Sequence, residues 1–435
     1  MRLTELVLHN VRLYGADGLN LKFDPGKHAT VLLGDNGCGK TTVLQAISTI
    51  LGSYLSQFPG SGDVQMTDDD VHIGDNGVRG DYLGIEAKLS GNGIDAIDVK
   101  RYRRGRVAAP APQLKEIKSY AQRLISEIDA KAEDVKLPII AYYGTERGRI
   151  TAPERRRNFK KAFGRGDGYV SAMPPATDFK SFFQWFDFKE DEERREREAR
   201  WDRDYTDPSL NAVRHALEKF VGEDFTSPAI KLHPLRFVMS QKNTGRSLRI
   251  EQLSDGYRIV ISMIADIASR MAELNPSDRY EDILSTPGII LIDEIDLHLH
   301  PKWQRCIVSQ LIKTFPNVQF ILTTHSPLVV LDASENAEVV NLANIDGTPS
   351  DLRNYDVGLT LISSLFGIEG VQAPMWDDMI ARRRILLGKP ELSDQDRAEL
   401  ANIDSALADL SMGRTSEEIE SDRIIRRLAD KLGIG

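Results

Sequence analysis

Residues 34–42 read GDNGCGKTT, and their types and spacing suit a polyphosphate. Gly34 and Gly39 are separated by four residues, and Lys40 and Thr41 follow at once, which is the P-loop spacing. To cradle phosphate, successive N–H groups must point into one concavity, a backbone shape that favours glycine at Gly34, Gly37 and Gly39. The helix that follows would offer its positive N-terminus. Lys40 would reach the β- and γ-phosphates of ATP, and the Thr41 hydroxyl would ligate Mg²⁺. With Asn36, Cys38 and Thr42, these residues form the expected nucleotide-binding set. Gly-rich turns also arise without a ligand. This one follows the apolar run TVLL and opens an apolar helix, the context that a phosphate loop requires.

A second constellation, GIILIDEIDLHLHP (288–301), runs four apolar residues into Asp293 and Glu294. A buried parallel strand would deliver both carboxylates to the C-terminal edge of a sheet. Two carboxylates there are costly unless a cation or a proton transfer uses them. Asp293 is the expected Mg²⁺ ligand, directly or through water, and Glu294 the residue that polarises the attacking water. A strand ending in acidic turn residues would explain either carboxylate alone, but explains the pair beside a P-loop poorly. His298 and His300 lack the third and fourth ligands of a closed zinc site, so a structural role is expected. ILTTHSP (321–327) places His325 at the end of an apolar strand, where its imidazole could hydrogen-bond a γ-phosphate. LSDGYR (253–258) lacks the base and orienter of a nucleophilic site. It reads as a helix N-cap, with Ser254 or Asp255 closing the first turn of an apolar-periodic helix over 259–271.

These residues need elements to hold them. Strands are predicted over 3–8 and 21–33, then a helix over 40–51 and a loop rich in Gly, Ser and Asp. Strand-like alternation fills 82–106, a polar helix 113–130 and a buried strand 137–144. The charged and aromatic stretch 150–225 reads as two helices projecting from the sheet, its charge run a solvated face with i,i+4 pairs. Strands return at 235–250, 288–293 and 318–325, with a helix at 302–314. After His325 the pattern predicts a short strand pair and then polar helices. The expected organisation is an N-terminal lobe over 1–149, a helical insertion over 150–232, a second lobe over 233–345 and a helical region over 346–435.

The 435 residues, 41% hydrophobic and 28% charged, suit one large or two ordinary soluble domains. A net charge of −9 argues against wholesale coating of nucleic acid. The local candidates for such contact are KRYRRGR (100–106) and ERRRNFKK (154–161), although solvated surface explains each as well. ARRR (381–384) could hold a partner protein. Cys38 and Cys306 make neither a disulfide framework nor a metal-ligand set, which fits a reducing compartment. MRLTELVLHN lacks the apolar core of a signal peptide, and no run approaches a membrane span. A cytoplasmic protein with no membrane partner is expected.

The P-loop, LSDGYR, LIDE and a strand-end histidine, in that order, resemble ATPases of the ATP-binding-cassette class. In that class two nucleotide-binding domains face each other, and the signature helix of one caps the γ-phosphate held by the other. The resemblance implies that Ser254 and the Gly256 N–H serve a phosphate in trans. Asp255 stands where the class has glycine, adding a negative charge that would slow hydrolysis or be answered by Arg258. LGDNGCGKTTVLQAI, LPIIAYYGTER and DEIDLHLHPKWQ…FILTTHSPLVV resemble the ATPases of the OLD, RecF and SMC group, discontinuously over about 1–330. The compact form with a short helical tail resembles the PtuA-like ATPase subunits of Septu and retron-associated anti-phage systems. That resemblance implies an α/β P-loop ABC-type ATPase head with a mixed β-sheet, an inserted helical subdomain and a C-terminal helical tail. It implies a homodimer, or a higher oligomer, around ATP and Mg²⁺ that controls an HNH-type nuclease. A RecF-like stand-alone repair ATPase and a hydrolysis-poor switch stay open. An SMC-type machine needs a coiled coil that about 75 residues between 150 and 225 cannot supply. IEG (368–370) and DQD (394–396) superficially match the acidic residues of an OLD nuclease, but ELSDQDRAELANIDSAL reads as a capped polar helix. No transporter-type Q-loop is placed, and Tyr14 is the sole candidate for an adenine platform.

Overall fold

The computed structural model describes residues 1–91, 96–132, 135–148, 163–173, 179–226, 228–232, 235–333 and 337–345, isolated positions between 357 and 387, and 393–407. Two compact units divide the chain, Met1–Asn354 and Tyr355–Gly435.

Among the described residues, the first unit carries three sheets. One is antiparallel, built from β1 (Arg2–His9), β2 (Leu19–Lys22), β4 (Tyr82–Ser90) and β5 (Ile97–Arg104) in the order β2-β1-β4-β5. The second joins β3 (Ala29–Leu33), β6 (Ile139–Tyr143), β10 (Gly288–Ile292), β11 (Val318–Thr323) and β12 (Ala337–Asn341) in the order β12-β3-β11-β10-β6. Every pairing in it is parallel. That is why ATVLL, IIAYY, GIILI and VQFILT are buried at every position: a parallel sheet with both faces covered needs continuous apolar strands. A small antiparallel sheet, β7 (Ala229–Leu232), β8 (Leu235–Ser240) and β9 (Ser247–Arg249), completes the set. The antiparallel and parallel sheets are tied by the Gln319 amide. Its Oε1 accepts from Leu3 N–H at 2.7 Å and its Nε2 donates to Leu3 O at 2.9 Å.

The strand predicted over 21–33 is two strands in different sheets. Pro25-Gly26 breaks it, and Asp24 closes the turn by accepting from the Gly26 N–H at 2.7 Å. Helix α1 (Lys40–Leu55) runs one turn beyond its predicted end, and α2 (Lys115–Asp129) falls within its predicted range. The helix pair expected within 150–225 is α3 (Phe179–Arg200) and α4 (Pro208–Val221), the latter capped by Asp207. The pair does not stand free. Phe179, Phe182 and Phe186 pack around Phe237 of β8 at ring-centroid distances of 5.5–5.7 Å. Both helices also pack on α5 (Asp255–Leu274), the helix that begins within LSDGYR. The charge run is only partly a solvated face: Glu193 is 3% exposed and takes Arg197, Arg214 and the Asp207 N–H.

After α6 (Tyr280–Leu284), the helix predicted over 302–314 is broken into α7 (Pro301–Gln304) and α8 (Ile307–Thr314). Following His325, the described residues carry α9 (Pro327–Ala333) and one strand of the expected pair, β12, which extends the parallel sheet beside β3. In the second unit, Asp394–Leu407 is helical as expected, with Ser393 and Asp396 bonding reciprocally at its start. IEG at 368–370 lies outside the described residues.

Candidate nucleotide site

β3, β11, β10 and β6 are neighbours, so the loops leaving their C-terminal ends converge on one edge, where ligands of parallel sheets bind. The loop after β3 is residues 34–39. Gly34 has φ 136°, and a Cβ there would lie 2.5 Å from Cys38 Sγ; Gly39 has φ 98°, and a Cβ there would lie 2.5 Å from Tyr14 Oη. Both positions demand glycine in conformation and in space. Asn36 and Gly37 are exposed on the loop, while Gly39, Lys40 and Thr42 are buried. The first turn of α1 has no side-chain cap and no acidic residue, leaving its N–H groups to an anion. Lys40 folds back on the loop, its Nζ donating to Gly34 O at 2.7 Å and Asp35 O at 3.0 Å. Tyr14 donates to Cys38 O at 3.0 Å and is 9% exposed. It braces the loop from below and offers no open stacking surface to adenine.

Thr41 Oγ1 donates to Asp293 Oδ2 at 2.9 Å, so the two expected metal ligands touch. Two hard oxygens at that separation match the edge of an octahedron with metal–oxygen distances of about 2.0–2.1 Å, the geometry that Mg²⁺ demands. Thr323, at the end of β11, bridges the pair of acids. Its hydroxyl donates to Asp293 Oδ1 at 2.6 Å and accepts from the Glu294 N–H at 2.7 Å. Glu294 has φ 47°, a left-handed conformation that costs a non-glycine residue roughly 1–2 kcal/mol. His325 is exposed one residue beyond Thr324, and its N–H donates to Asp296 Oδ1 at 3.3 Å; Thr324 donates to the same oxygen.

Sequence reasoning passed over Arg147, which is 1% exposed. Following β6 in a short 3₁₀ turn, Thr145–Gly148, it donates to Asp293 O and Glu294 O, both at 2.5 Å, and to Gly144 O at 3.0 Å. Burial lowers its pKa to about 10, against the pull of Asp293, Asp296 and Glu294. Thr323, Thr324 and Asp296 were also missed as a bracing set. A basic residue four positions beyond a buried strand that ends at the same edge was the available signal.

The LSDGYR residues lie elsewhere. Ser254 occupies the N-cap position of α5 but makes no side-chain cap bond, contrary to the capping role expected of its hydroxyl. Ser254 and Gly256 line a cleft of about 910 Å³ with Tyr257, His298, His300 and Trp303; none of residues 34–42, Asp293, Glu294 or His325 lines it. Arg258 forms an ion pair with Asp255, so the extra negative charge is answered within the turn. His300 has a structural role: its Nδ1 accepts from the Lys302 N–H and caps α7.

Of the basic stretches, 100–106 is largely neutralised. Lys100 pairs with Glu86, Arg101 with Asp63, Arg103 with Asp68 and Arg106 with Asp81. In the tail Arg382 pairs with Glu399, and 154–161 lies outside the described residues.

Comparison with known proteins agrees with this geometry. Residues 5–220 match the family model described as "AAA domain", and 174–332 match a second AAA model whose description includes "Type IV TA system". The "Retron Ec83 probable ATPase" of Escherichia coli is 30% identical over 392 residues, covering 76% of this chain and 69% of that protein. The "Retron Vc95 probable ATPase" of Vibrio cholerae serotype O1 biovar El Tor is 29% identical over 388 residues, 77% of this chain and 73% of that protein. Septu protein PtuA of Bacillus mycoides is 34% identical over 167 residues, but these are 37% of this chain and 22% of that protein. Fold, site and relatives define a P-loop ATPase. The chain belongs to the family of the retron probable ATPases and is related over part of its length to Septu PtuA.

Proposed function

We propose that the chain hydrolyses ATP as a head-to-tail homodimer holding two ATP·Mg²⁺ between its subunits, and that this cycle controls an HNH-type nuclease in the cytoplasm. The observation that carries the dimer is the idle Ser254 hydroxyl at the start of the twenty-residue helix α5, in a cleft lined by no P-loop residue. Residues 34–42 bind the triphosphate of one subunit, and Ser254 with the Gly256 N–H caps its γ-phosphate from the other. Thr41 and Asp293 would hold Mg²⁺, which would supply positive charge beside the phosphate oxygens. Glu294 polarises water for attack on the γ-phosphorus, and His325 hydrogen-bonds the γ-phosphate. Residues 1–149 and 233–345 form the ATPase lobes, 150–232 the helical insertion, and 346–435 a helical partner-binding or oligomerisation region.

Mixing two defective proteins tests the dimer. Ser254→Arg places a long cation where a small hydroxyl should meet the opposing phosphate, and Lys40→Ala removes the phosphate partner. Each homodimer has two broken sites, whereas a mixed dimer gathers both lesions into one site and leaves the other intact. ATPase activity should recover on mixing: if the sites act independently, each mixed dimer runs at roughly half a wild-type dimer's rate, and an equimolar mixture with half its dimers mixed at about a quarter. Wild-type hydrolysis and ATP-driven dimerisation by Ser254→Arg alone would show that LSDGYR is only a helix start. The partner is tested by a neighbouring HNH reading frame whose product co-purifies with the chain.

A further inference from the structure

We infer that Arg147 is a positioning residue for Glu294, holding the left-handed peptide that aims the Glu294 carboxylate and so governing turnover without contributing to ATP binding. This rests on the reading of Glu294 as the water-polarising residue. A non-glycine residue at φ 47° persists only where its surroundings over-determine it. Here the restraint comes from both sides of the residue. The Glu294 N–H is held by Thr323 Oγ1 at 2.7 Å, and its carbonyl takes Arg147 Nη2 at 2.5 Å. Arg147 Nη1 fixes the preceding carbonyl, Asp293 O, also at 2.5 Å.

The choice of partners separates positioning from simple charge balance. A cation kept only to neutralise Asp293 and Glu294 would sit on their carboxylates. The hydrogen bonds of this guanidinium go to three main-chain carbonyls, Gly144 O, Asp293 O and Glu294 O, which leaves the carboxylates to metal and water. The fork geometry of arginine is what permits one buried side chain to span consecutive carbonyls, and a lysine ammonium cannot reproduce it. Arg147 reaches them because β6 pairs with β10 in register, Tyr143 opposite Ile292, so the turn after β6 lies beside the turn after β10. The Asp293 N–H bonds Tyr143 O at 2.8 Å and carries that register one residue further.

The test compares wild type, Arg147→Met, Arg147→Lys, Glu294→Gln and the double variant Arg147→Met/Glu294→Gln by ATP affinity and by steady-state turnover. Arg147→Met should keep ATP affinity within about threefold and lose turnover on the order of 100-fold, the scale of a misplaced reacting group. Arg147→Lys should recover only a small part. Once Glu294 has lost its carboxylate, removing Arg147 should slow turnover no further. Slow turnover in Glu294→Gln with losses that multiply in the double variant would overturn the inference alone. Loss of ATP binding in step with turnover in both Arg147 variants would also overturn it, by showing a general brace. Wild-type turnover in Glu294→Gln would remove the Glu294 assignment, and the inference with it.

Discussion

Thr323→Val tests the bracing of the two acids without adding bulk. Thr323 is fully buried, and valine keeps its shape while losing the hydroxyl. Two bonds go with it: the donation to Asp293 Oδ1 at 2.6 Å and the acceptance from Glu294 N–H at 2.7 Å. A bond to a charged group contributes about 1.5–3 kcal/mol, and an orphaned buried N–H costs about 1–3 kcal/mol. The two share one hydroxyl and partly overlap, so the net loss should be about 3 kcal/mol. For a unit spanning Met1–Asn354 that corresponds to a fall in Tm of about 4 °C. Thr323→Ser keeps both bonds and loses one buried methyl, at about 1 kcal/mol and little more than 1 °C. Calorimetric melting of the three proteins decides the matter. If valine melts within about 1 °C of wild type, or serine falls as far as valine, the hydroxyl does not hold the acids as described.

Lys40→Ala should abolish the stabilisation that ATP gives wild type, about 2.7 kcal/mol at a hundredfold excess over Kd, each protein being compared with its own ligand-free melt; a normal ATP-induced shift in the variant would refute the assignment of Lys40 to the phosphates. Glu190, whose Oε2 accepts from the Ile230 N–H, has its pKa pushed up from 4.5 to about 7 by burial. The folded chain therefore binds the extra proton in that window, and stability falls as pH rises from about 4.5 to about 7. Glu190→Gln should match wild type near pH 4.5 and melt progressively higher than it toward pH 7.5; parallel curves would contradict the burial argument.

The residues that the sequence singles out for the proposed nucleotide site are those whose neighbours in the chain supply their context. Gly34, Gly39, Lys40 and Thr41 lie in one turn, and Asp293 and Glu294 follow their own strand, so spacing and apolar runs sufficed. The bracing set could not be read the same way. Arg147 meets Glu294 across 147 positions, and Thr323 meets Asp293 across 30, contacts that exist only after β6, β10 and β11 have paired. Pro25-Gly26 was a legible break inside 21–33 that hydrophobicity on both sides obscured. Phe237 anchoring α3 was invisible for the opposite reason: a charge-rich helix advertises its solvated side, and its phenylalanines meet Phe237 only once β8 lies beside them.

The interleaved strand order also sets a timetable. β3 ends at Leu33, and both its sheet neighbours, β11 and β12, lie between Val318 and Asn341. At about 5–20 residues per second, the phosphate loop leaves the ribosome on the order of tens of seconds before any strand that can hold it. Through that interval the apolar flanks of β3 and α1 are open to other chains, since long-range parallel pairing cannot begin early. Messages interrupted before residue 318 yield fragments with every P-loop residue and neither strand beside it. Such fragments carry the loop without the parallel strands that fix its place in the sheet.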